Sequence, residues 1–110
     1  MTSSEQIRVA DEPVGTVRVV VAFDAARVTL AGAIDIALDS ELDDAARAVR
    51  DCRLPVIVDA TSVTFMDAAG ARFIARCYGH GPLTMATSPT VRSLLHFLAM
   101  DDVLAGCDDV

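Results

Sequence analysis

The chain has 110 residues, 53% of them hydrophobic but only 5% aromatic, with no Trp, which fits one domain with a modest two-layer core of Val, Leu, Ile and Ala. Nine basic and sixteen acidic residues leave a formal charge of −7, which argues against nucleic acid or an anionic membrane as partner, since both attract basic surfaces. No apolar run approaches bilayer-spanning length, and Cys52, Cys77 and Cys107 are odd in number and without a CxxC, against a disulfide framework or a zinc site.

Residues 1–12 are polar and contain Glu5, Asp11 and Glu12 where a secretory leader needs a basic start and an apolar run. A cytoplasmic protein with reduced thiols and a flexible N-terminal segment over 1–12 is therefore expected, with 7–9 as an additional strand candidate. Residues 17–23 are β-branched and predict a strand. Asp24-Ala25-Ala26 makes a tight turn, and 27–32 alternate as a second strand, so the two form an antiparallel hairpin. A loop containing Asp35 follows Gly32.

From about Leu38 the period changes. Leu38, Leu42, Ala45, Ala46 and Val49 fall at helical spacing, with Asp39, Glu41, Asp43, Asp44, Arg47 and Arg50 left for water. Leu54-Pro55 ends that helix and leads into a buried strand over 56–60, with Pro at its beginning because it cannot donate a ladder bond. A short polar turn then reaches Asp67, an N-cap for a helix running to about Tyr78. Gly79-His80-Gly81-Pro82 stops it. Residues 83–86 are a short strand, and Ser88-Pro89 starts a last helix with Val91, Leu94, Leu95 and Leu98 as its apolar stripe. An acidic tail, 106–110, ends the chain. The order β-β-α-β-α-β-α predicts an α/β fold whose sheet of about four to five strands is covered by helices.

Little here carries catalysis. His80 and His96 lie in no cluster of Cys, Asp and Glu at metal-ligand spacing, so no metal is expected. Asp24, Asp35, Asp59 and Asp67 lie near strand ends and have structural roles in turns, loops and caps. Asp59, inside an apolar strand, either faces solvent or accepts from the following loop. There is no glycine-rich phosphate loop and no local triad, so neither a cofactor nor an enzyme is expected. Thr61, Ser62 and Thr64 suit bonds to nearby backbone. The open helix start Asp67-Ala68-Ala69-Gly70 instead suits docking against another protein.

Those residues resemble a family. Leu30-Ala31-Gly32-Ala33-Ile34-Asp35, then Val56-Ile57-Val58-Asp59 and Val63-Thr64-Phe65-Met66-Asp67-Ala68-Ala69-Gly70, then Leu83-Thr84-Met85-Ala86 with Ser88-Pro89-Thr90-Val91, look like a STAS domain of the bacterial anti-anti-sigma factor type. The resemblance implies a STAS-type mixed sheet with helices mainly on one side, spanning residues 13–105. It also implies antagonism of an anti-sigma factor, a serine-kinase-like protein, so that a sigma factor is freed for transcription, as in stress responses. Asp35, Asp59, Thr64, Phe65, Met66, Asp67, Ala68, Ala69 and Gly70 are the partner-binding residues it implies.

In that family the helix start reads Asp, Ser, Ser or Ala, Gly, and the partner kinase phosphorylates the first Ser. Here Ala68 holds the matching position and has no hydroxyl. The resemblance therefore implies an antagonist that cannot be switched by phosphorylation at residue 68. A STAS scaffold or regulatory docking subunit of a signalling assembly is the alternative, and homo-oligomerisation is left open.

Overall fold

The computed structural model describes residues 15–100 and the backbone of 107–108; the expected flexible segment 1–12, the strand candidate 7–9 and most of the tail 106–110 lie outside the described residues. Strand β1 (Gly15–Val21) pairs antiparallel with β2 (Ala26–Ile34), Val17 opposite Leu30 and Val21 opposite Ala26, as the hairpin reading expects. A single 3-10 turn, Ile36–Leu38, leads into α1 (Asp39–Cys52). Then come β3 (Val56–Met66), α2 (Ala68–His80), β4 (Leu83–Thr87), α3 (Pro89–Phe97) and a two-residue β5 (Cys107–Asp108). The sheet order is β1-β2-β3-β4-β5, and every pair beyond the hairpin is parallel. Helical crossovers supply those parallel connections. No helix among the described residues is long and apolar enough to cross a membrane.

Strand alternation divides the sheet into two faces. On β2, Ala26, Val28 and Leu30 are buried while Arg27 and Thr29 are exposed; on β3, Val56, Val58 and Ala60 are buried while Asp59 is exposed. The buried row forms one core with Leu42, Ala45, Ala46 and Val49 of α1, Phe73, Ile74 and Cys77 of α2, and Val91 and Leu95 of α3. Helices α1, α2 and α3 thus all cover one face. Each fully buried Leu, Ile or Phe contributes about 1.5–3 kcal/mol.

Local signals start and stop the helices. Asp39 and Glu41 in the first turn of α1 and Arg50 in its last complement the helix dipole. Arg53 ends it in the left-handed region at φ 56°. Asp43 accepts from Arg47 at 2.8 Å and from Arg76 of α2 at 2.9 Å, joining the two helices at the surface. The Arg76 hydrogen bond, helped by the Arg47 charge, holds the Asp43 carboxyl below its ordinary range. Ser88 Oγ accepts from Val91 N at 3.3 Å, and Pro89 opens α3.

Strand β3 is longer than its local sequence suggests. Where the residues point to a strand ending near Ala60 and a polar turn beyond, the strand continues through Met66. Its register against β2 shifts twice: Thr29 faces Asp59 but Ala31 faces Ser62, and Gly32 faces Val63 but Ala33 faces Phe65. Each shift inserts one extra residue into β3. At the first, Thr61 N and Oγ1 both donate to Asp59 Oδ1, at 3.0 and 2.7 Å. A side chain thus takes an amide the ladder would have used, and the chain bulges without leaving the sheet.

Two consequences are measurable. A Cβ on Gly15 would stand 2.0 Å from the Ala33 carbonyl oxygen, whereas one on Gly79, within α2, would meet nothing within 4 Å. Urea unfolding should show Gly15→Ala losing at least about 2 kcal/mol and Gly79→Ala gaining up to about 1 kcal/mol. Cys77 is buried and burial pushes its thiol up to about 12. At about pH 8, native Cys77 should be alkylated at least about a hundredfold more slowly than half-buried Cys52, read peptide by peptide by mass spectrometry.

Candidate partner-docking site

The ends of β2 and β3 lie side by side, Ala33 facing Phe65 and Ile34 facing Met66. Beyond them the chain makes two short departures. After β2, Asp35 Oδ1 accepts from Ala37 N at 3.0 Å and its carbonyl accepts from Leu38 N at 2.9 Å, which shapes the 3-10 turn and drops Leu38 into the core. After β3, Asp67 leaves the strand in extended geometry and caps α2, its Oδ1 accepting from Ala69 N at 2.8 Å. This confirms the N-cap expected from the sequence.

Asp67 also reaches the first loop. Its second carboxylate oxygen, Oδ2, accepts from Ile36 N at 3.2 Å, and its own N–H donates to the Ile34 carbonyl at 3.2 Å. One residue therefore caps a helix and brackets the preceding β2–α1 loop. Gly70 lets that helix sit close: a Cβ there would be 2.6 Å from Met66 Cγ and 3.0 Å from Ile34 Cγ2.

The structure brings Asp35, Phe65, Asp67 and Ala68 to one end of the sheet. Ala68, the first residue of α2, is exposed, and Phe65 is 49% exposed although large and apolar. Thr64, the extra residue of the second bulge, is exposed beside them. Met66, Ala69 and Gly70 are buried and position the surface from beneath. Asp59 is not brought to this cluster; it is exposed on the order of 20 Å back along β3 from Phe65. Its hydrogen bonds from the Thr61 side chain and backbone hold its carboxyl below the ordinary range. The stabilisation this gives is present above that ordinary range and fades as pH falls through the lowered value.

Ile36 is absent from the sequence-derived set, yet it is 64% exposed and carries the amide that Asp67 binds. A usable signal existed: Ile36 lies outside the apolar stripe of α1, so the helix offers it no burial. His80 ends α2 and His96 stands near the end of α3, away from this cluster. No group of three or more His, Cys, Asp or Glu side chains able to hold a metal occurs among the described residues. A hollow of about 500 Å³ between Arg50, Arg53, His80 and Pro82 lies at the opposite end of the strands. The candidate site thus sets the backbone-held carboxylates of Asp35 and Asp67 beside the exposed apolar side chains of Ile36, Phe65 and Ala68.

Comparison with known proteins agrees with this architecture. A family model described as "Mlab, STAS domain" matches residues 17–105. No curated protein sequence matches the chain. Among solved structures, an anti-sigma factor antagonist from Mycobacterium paratuberculosis is similar over 80% of this chain and 80% of its own, at 22% identity and a TM-score of 0.70. The anti-sigma factor antagonist SpoIIAA in its unphosphorylated form is similar over 86% of this chain and 88% of its own, at 15% identity and a TM-score of 0.66. The Bacillus cell fate determinant SpoIIAA in the phosphorylated form is similar over 86% and 91%, at 16% identity and a TM-score of 0.60. The structural likeness establishes the shared mixed α/β fold, and with the family match across most of the sequence it leads to one conclusion: the chain belongs to the STAS-domain family.

Proposed function

We propose that this chain is an anti-sigma factor antagonist that binds a kinase-like anti-sigma factor through the Asp35 turn and the Asp67 helix start and so frees a sigma factor. The observation that carries the reading is the Asp67 bracket, which presents Phe65 and Ala68 together with the preceding loop as one surface. The fold likeness to anti-sigma factor antagonists supports it. In this reading the chain catalyses nothing, acts in the cytoplasm, and is controlled other than by phosphorylation at residue 68. A phosphoryl group at that position would add about −1.5 to −2 charges beside Asp67, and Ala68 cannot receive one.

A second reading has its own support. The matching family model is described as the Mlab STAS domain rather than as an antagonist. A docking subunit of a larger assembly would use the same surface and need no phosphorylation switch. Calorimetry against each candidate anti-sigma factor from the same cell, with and without nucleotide and with sigma release assayed in parallel, separates the two. Binding with release supports antagonism; folded candidates that all fail to bind favour the docking subunit.

Two variants locate the surface. Asp67→Ala should cost about 1–2 kcal/mol in denaturant unfolding, because both the cap and the bracket are lost, and should weaken binding at least about tenfold among folded molecules. Ala68→Glu should change stability by no more than about 0.5 kcal/mol and weaken binding about tenfold or more. Unchanged affinity in Ala68→Glu would move the docking surface elsewhere.

A further inference from the structure

The end of the fold around Asp67 is mostly negative, with Arg72, one helical turn beyond Ala68 on α2, as a nearby positive charge. Residues 28–46 and 54–71 contain no Arg, Lys or His, while Asp35, Asp39, Glu41 and Asp67 gather where β2 and β3 end and α1 and α2 begin. Two helix N-termini contribute about half a positive charge each and Arg72 one more, so four carboxylates still leave this end negative. Inside that negative border stand two large apolar side chains, Ile36 and Phe65, both well exposed. They belong to different segments, yet the Ile36 amide bonds to Asp67 Oδ2 and the Ala33–Phe65 pairing holds Phe65 beside the end of β2.

That combination has a specific use. Apolar side chains held in place before binding lose little freedom when they are covered. Carboxylates around them attract a cationic surface from a distance and orient its approach. Phe23 and Phe97 are more exposed still, but they stand in a turn and at a helix end, with Arg27 and His96 close in sequence.

We infer that Ile36 and Phe65 are paired apolar anchors of an electrostatically steered surface, whose occupant is a protein face with an apolar socket bordered by Arg or Lys. This deepens the functional reading above and rests on it for the class of partner, while the chemistry of the contact is stated independently. The carboxylates act on the rate of association and the two anchors on the rate of release.

Photo-cross-linking tests it. Full chains carrying a photo-reactive phenylalanine analogue at position 36, 65 or, as control, 97 are irradiated with the candidate anti-sigma factors and, separately, in cytosol. The cross-linked residues are then identified by mass spectrometry. The expected result is capture of one protein from 36 and 65 but not 97, at residues flanked by Arg or Lys. Yield should fall about tenfold on raising salt to about 0.5 M, and similarly in the Asp39→Lys, Glu41→Lys double variant. If that protein is not an anti-sigma factor, the anchor inference stands and the antagonist reading falls. If an anti-sigma factor binds and releases sigma but cross-links from 97 alone, the antagonist reading stands and the anchors are refuted. Yield from 36 and 65 that ignores salt, or no capture from either position, also overturns the inference.

Discussion

The parallel seam between β2 and β3 holds the core and the candidate site in one register. On one side of it lie Val28, Leu30 and Ile34, on the other Val56, Val58, Ala60, Val63 and Met66, all buried. Because side chains alternate, a slip of one residue would turn this apolar set to water, so burial fixes the register strongly. The two extra residues in β3 are absorbed as bulges rather than as a slip. They leave Met66 inward and Phe65 outward where the strand ends, and Asp67 within reach of the Ile34 carbonyl and the Ile36 amide.

From that seam the site follows by local hydrogen bonding. A helix start has unpaired N–H groups, and an exposed loop has others; a single carboxylate with two oxygens satisfies one of each. Together the two bonds contribute about 1–2 kcal/mol, enough to hold a short turn that buries only Leu38. What the bracket presents is apolar and acidic: Ile36, Phe65 and Ala68 among carboxylates whose oxygens already accept from backbone.

Elements whose causes are local were legible in the sequence. The β-branched run before Asp24, the stripe Leu42-Ala45-Ala46-Val49, Asp67 as a cap and Ser88-Pro89 as a helix start each act within a few residues, and each gives its element, the strand two residues earlier than the 17–23 run. The course of β3 beyond Ala60 was not legible, because it depends on a side-chain bond from Thr61 to Asp59 and on pairing with a strand about thirty residues earlier. The pairing of Cys107–Asp108 with Met85 and Ala86 is equally non-local, and replaces part of the expected tail with an edge strand. At the site, Asp35, Phe65, Asp67 and Ala68 could be read from their own segments. Ile36 stands outside the α1 stripe in the sequence, but its tie to the cluster shows only in the bond from its amide to Asp67, and the distance of Asp59 from the cluster needed the strand's full length.

Asp67 makes the two loops one surface, and hydrogen exchange at the Ile36 amide reads that bond itself. Asp67→Asn keeps one side-chain oxygen for the helix cap but replaces the other oxygen with an amino group, which cannot accept. The Ile36 N–H is expected to exchange at least about tenfold faster in that variant than in the native chain, with the Ala69 N–H much less affected. Equal exchange of Ile36 in both proteins would mean that the bracket does not hold the loop in solution, and the single-surface account would fail.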